Sequence, residues 1–150
     1  MGTPNETASD SLADADPLAA VPPLIVRIGG GLLGTAGFFV GASGLQAFLF
    51  FHLTTTQSLV AGALVVLGAA AIGVAPLTMA GRSWAAIAGS AVAAVAALVA
   101  FGWLAYALIA TMFSPILVLG TLFMGLAAAV QPFTISPSLR VTKARRALYA

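Results

Sequence analysis

Few side chains in this sequence are equipped for chemistry. There is one histidine, His52, and no cysteine. That leaves no disulfide, thiolate metal site, iron–sulfur cluster or thiol nucleophile. A serine nucleophile needs a neighbouring base, and His52 is the sole histidine to serve as one. It stands beside Thr54, Thr55 and Thr56 in a short polar link over residues 52–57. There it reads as a solvated interfacial residue, with metal or proton chemistry as the rival role. Gln46 and Thr121 lie inside apolar runs and suit hydrogen bonds between helices. For Gln46 the rival role is a polar contact to a transported solute or a quinone headgroup. No catalytic, metal-binding or cofactor-binding constellation emerges. The expectation is a non-enzyme with no cofactor of its own, at most sharing a lipid or quinone at an interface.

Gly29, Gly31 and Gly34 match the spacing of a dinucleotide-binding loop. That pattern acts only between a strand and an amphipathic helix at a phosphate site. Here it follows Pro22 and Pro23 inside an apolar run, so nucleotide binding is not expected.

The elements that carry these residues follow from composition. Apolar side chains make up 61% of the 150 residues and charged ones 7%, with a mean hydropathy of +1.08. Soluble domains carry about 25% charged residues, so lipid is the solvent this sequence suits. A spanning helix needs roughly 20 mostly apolar residues. Four such runs are expected, over about 24–51, 58–79, 84–110 and 115–131, giving an all-α, four-helix transmembrane bundle. Residues 1–23 read as a flexible acidic tail and 132–150 as a basic juxtamembrane tail. Ser83 and Ser114 are the expected N-caps of the third and fourth helices. A strand reading fails because barrel strands alternate apolar and polar residues. A cleaved signal peptide is not expected, since the start is acidic and the first apolar run is too long. Glu6 stands where a myristoylation site wants serine or threonine.

Charge fixes the expected orientation. Glu6, Asp10, Asp14 and Asp16 precede the first run, and Arg140, Lys143, Arg145 and Arg146 follow the last. Only Arg27 and Arg82 lie between. With four spans, all six basic residues share one side, which the positive-inside rule makes cytoplasmic together with both termini. Basic residues this few and this close to apolar runs suit a membrane surface and not a nucleic acid. Cysteines at Thr55 and Ser138 should therefore label from opposite sides.

Packing faces are also legible. Gly30, Gly34, Gly37, Gly41 and Gly44 repeat at four and three residues, a bare helical face suited to close backbone approach. Ala86, Ser90, Ala93, Ala97 and Ala100 repeat the theme in the third run. Ser58 with Gly62, and Ala69 with Gly73, are the expected patches of the second. Leu33→Val is expected to be tolerated if Leu33 faces lipid. In the tail, Ser136 and Pro137 are expected to start a short helix. Its apolar side would be Val141, Ala144 and Leu148, with Arg140, Lys143, Arg145 and Arg146 at lipid headgroups. The expected function is a non-catalytic membrane subunit, a scaffold or assembly component of a larger complex in a bacterial-type inner membrane. Its partners would be the bilayer and other subunits or a second copy. The alternative is a small oligomeric transporter or channel for a neutral or lipid-like solute.

Overall fold

The computed structural model describes residues 17–110 and 114–149. The acidic stretch over residues 6–16, expected as part of the tail, and residues 111–113, between the third and fourth expected runs, lie outside them. A short 3₁₀ turn (Pro17–Ala20) leads into α1 (Leu24–Phe50), α2 (Thr55–Met79), α3 (Ser83–Ile109), α4 (Pro115–Val130) and α5 (Pro132–Tyr149). No strand occurs among the described residues. Helices α1, α2 and α3 are long and apolar enough to cross a membrane. A fourth crossing exists if α4 and α5, bent by 50° at their junction, count as one span. This is compatible with a multi-pass membrane protein.

Each helix packs on the next, and α4 returns to pack on α1. The closest pair is α1 with α2, and its cause is the absence of side chains. A Cβ on Gly37 would lie 2.7 Å from the Gly68 carbonyl oxygen, and one on Gly44 2.6 Å from that of Ala61. A Cβ on Gly30 would lie 2.8 Å from the Ala75 carbonyl oxygen. A Cβ on Gly34 would be tight against the Ala75 methyl at 3.2 Å, and one on Gly41 would make ordinary contact with Gly68 at 3.7 Å. Backbones this close gain dispersion contact along their whole length. The core is filled mainly by small residues, with Ala86, Ala93, Ala97 and Ala100 of α3 buried and Ser90 half-buried.

Several expectations need correcting. The surface of α2 that meets α1 is Ala61, Leu64, Gly68, Ala71 and Ala75. Ala69 and Gly73 are exposed, and a Cβ on Gly73 would touch nothing. Leu33 is fully buried, because the bare glycine stripe is narrower than the face α1 presents to α2, α3 and α4 together. Helix α2 starts at Thr55, three residues before the expected 58, because Thr54 and Gln57 form a reciprocal capping box. Ser83 is the first helical residue of α3, and Arg82 holds the cap position without a side-chain bond. Ser114 holds the N-cap position of α4 as expected, but its side chain makes no capping bond; its hydroxyl is used elsewhere.

The tail differs most. Helix α5 begins directly at Pro132 and runs through Pro137, with no restart at Ser136. Pro132 lacks an N–H, and its ring crowds the carbonyl four residues back, so the chain bends there without losing helical form. Thr134, Ser138 and Val141 form the buried face of α5, whereas Leu148 is exposed. They cover α3, the start of α1 and the 3₁₀ turn. Gly81, with a φ of 74° that disfavours other residues, makes the α2–α3 turn beneath Val141 and Pro22. The Thr142 hydroxyl donates to the Ser138 carbonyl at 2.9 Å and lies 3.5 Å from the Gly81 carbonyl, and the Arg145 guanidinium donates to the Ala20 carbonyl at 3.2 Å. Helix α5 is therefore docked on protein at the end where α1 begins.

Candidate functional site

Polar side chains gather at two places, one near each end of the helices. The first is a buried node at the α4–α5 bend. Gln131 is fully buried there, and its Nε2 donates to the Gly29 carbonyl of α1 at 2.9 Å. The Thr134 hydroxyl donates to the Gln131 carbonyl at 2.7 Å and lies 3.3 Å from its Oε1. From α2, the Thr78 hydroxyl reaches the Val74 and Ala85 carbonyls, each at 3.2 Å. Two glycines open the room. A Cβ on Gly29 would strike Thr134 at 2.5 Å, and one on Gly89 would crowd both Gln131 and Thr78. Ser138 is the exception, since its buried hydroxyl has no hydrogen-bond partner among the described residues.

Chemically this node is neutral. Its groups donate to backbone carbonyls of neighbouring helix turns, each of which has a second lone pair beyond its helical bond. It ties α1, α2, α3 and the bend together. Sequence reasoning passed over Gln131, Thr134 and Thr78. The available signal was a glutamine immediately before a proline at the end of an apolar run, a polar side chain at a helix break that must find a partner when buried.

The second place lies at the opposite end. The Ser114 hydroxyl donates to Gln46 Oε1 at 2.7 Å, joining α1 to the start of α4. His52 is exposed. Beyond them, between α2 and α3, an open cleft of about 360 Å³ is lined by Thr56, Gln57, Val60, Val99, Gly102, Trp103 and Tyr106. The capping box orients Gln57, because the Thr54 N–H donates to Gln57 Oε1 at 2.7 Å. The amide nitrogen is thereby turned toward the Tyr106 hydroxyl, to which it donates. The Trp103 and Tyr106 rings stack at 5.5 Å. The cleft was not legible in the sequence, because it needs the pairing of α2 with α3 to exist.

Among the described residues, no three of His, Cys, Asp or Glu lie close enough to hold a metal. Arg27, Arg82, Arg140, Lys143 and Arg146 are exposed, and Arg145 is half-buried. Comparison with known proteins adds no neighbour: no family model, no curated protein and no solved structure matches the chain.

Proposed function

We propose that this chain is a non-catalytic, multi-pass membrane subunit that folds as a four-helix bundle and serves a larger assembly as scaffold or accessory component. The observation that carries the reading is an inversion of polarity between outside and inside. Large apolar side chains such as Leu98 (75% exposed), Phe50 (74%) and Ile109 (83%) point outward, while the polar groups Thr78, Gln131 and Thr134 lie inside. An apolar exterior of this extent demands lipid or protein as its cover. The interior is packed with alanine, glycine and leucine, which suits a structural element more than a conduit.

Both termini lie on the cytoplasmic side in this reading, with Arg27, Arg82 and the basic residues of α5 at the headgroups. A bacterial-type inner membrane is the proposed location. The bilayer and other subunits, or a second copy, are the proposed partners. The test is gentle extraction from the native membrane followed by size analysis and identification of stoichiometric companions. A stable companion or homo-oligomer is expected; a lone monomer under every mild condition overturns the proposal.

One observation favours the alternative, a transporter or channel for a neutral solute. Helix breaks beside buried polar groups occur where transporters hold substrate, and the α4–α5 bend carries Gln131 and Thr134. Solute flux in liposomes that contain only this chain, lost in Gln131→Leu, would establish that reading in place of the first.

A further inference from the structure

Among the described residues, the cleft between α2 and α3 joins an apolar trough to neutral hydrogen-bond donors at its rim. Gln57 spends one amide hydrogen on Tyr106 and keeps a second. Tyr106 accepts that bond, so its own O–H remains to be donated. Trp103, 8% exposed, lines the cleft and stacks on Tyr106, and its indole N–H can only donate. All three offer hydrogens, and none carries charge. Below them Val60, Val99 and Gly102 form an apolar floor. Gly102 leaves it open, since a Cβ there would meet nothing within 4 Å.

We propose that this cleft binds a membrane glycerolipid. One acyl chain lies along Val60, Val99 and Gly102, and the ester carbonyls accept hydrogen bonds from Gln57, Trp103 and Tyr106. The electrostatic match selects this part of the lipid. Every residue of the cleft is uncharged, so it complements neutral acceptors better than a phosphate. Gln57 sits in the first turn of α2 and Tyr106 in the last turn of α3, with Trp103 one turn before it. In a membrane-spanning chain that is the depth of the ester groups, where tryptophan and tyrosine concentrate. The site rests on the membrane reading above.

The test uses the full chain purified in mild detergent, with thermal unfolding followed as lipid is added, because a ligand of the native state raises the midpoint. A diester phosphatidylcholine should raise it, and the diether lipid with identical chains, which lacks the carbonyls, should raise it less. Gly102→Leu should fold at least as well without lipid, since it fills open space, but should lose the response. Tyr106→Phe should weaken diester binding by roughly threefold to tenfold, the worth of one hydrogen bond, and leave diether binding unchanged. If Gly102→Leu fails to fold, Tyr106→Phe carries the comparison alone. Equal responses to diester and diether lipid, or a full response in Gly102→Leu, overturn the site. A larger response to a long-chain quinone than to the diester overturns the choice of occupant. Flotation with liposomes separates the two layers of inference: a chain that does not partition into bilayers refutes the membrane reading itself.

Discussion

Gly37 and Gly73 are both helix-interior glycines, and their surroundings assign them opposite roles. At Gly37 a side chain would press into the Gly68 carbonyl and the Ala71 methyl. Gly37→Leu must therefore separate α1 from α2, with a loss of about 1–3 kcal/mol or more, read as a lower unfolding midpoint in detergent. Gly73 faces open space, so Gly73→Ala should be neutral or stabilising by up to ~1 kcal/mol through helix propensity. The same comparison applies to buried polar groups. Gln131→Leu removes the buried tie to the Gly29 carbonyl and a partner of the Thr134 hydroxyl, and should cost about 1–3 kcal/mol. Ser138→Ala removes a buried oxygen that has no partner and should raise stability. Equal midpoints for the two glycine variants would refute the backbone-contact account of the α1–α2 pair. Spacing alone revealed the glycines of α1, because a four-three repeat of bare positions has few other uses. It did not reveal that Leu33 is buried, since burial on a second side of α1 depends on where α3 and α4 arrive.

At the scale of elements, the long apolar runs were legible because their length and continuity override local propensity, and helix ends were legible only in part. The Thr54–Gln57 capping box was written in the sequence as a threonine three residues before a glutamine, yet three adjacent threonines disguised it as a loop. The α2 face was missed because Ala61, Leu64, Gly68, Ala71 and Ala75 mix sizes, and only the partner helix shows which size each position needs. Helix α5 was read as a surface helix from its charges. Its docking face is instead polar and small, and Thr134 and Ser138 become interior only because α4 bends toward them. That docking predicts protease behaviour. The tail should resist cleavage equally in neutral and anionic liposomes, since Val141 and the Arg145–Ala20 bond hold it to protein. Val141→Asp buries a charge without a partner and should release α5, speeding cleavage in both kinds of liposome. Protection that appears only with anionic lipid would instead favour headgroup anchoring by Arg140, Lys143 and Arg146.

For the whole molecule, the decisive question is whether the bent α4–α5 pair crosses the bilayer or turns back. Helix α4 has 16 residues, about 24 Å at 1.5 Å per residue, against a hydrocarbon core of about 30 Å. Taken alone it is short. The contacts of α5 argue for crossing all the same. Thr142 reaches the α2–α3 turn and Arg145 reaches the segment before α1, so α5 shares an end with Arg27 and Arg82. Helix α4 starts at the other end, where Ser114 bonds Gln46 near the close of α1. A re-entrant α4 would leave α5 beside Thr55 and break every one of these contacts. The first turn of α5 and modest thinning of the bilayer supply the missing length. On the proposed reading, a cysteine at Thr55 should react with an impermeant thiol reagent in intact cells, and one at Ser136 only after permeabilisation. Ser136 is exposed on α5 and replaces the buried Ser138 as the reporter. Because the chain has no cysteine of its own, each variant carries a single reactive site. Labelling of both positions from the same side would mean an odd number of crossings. The docking of α5 and the cytoplasmic placement of both termini would then fall together.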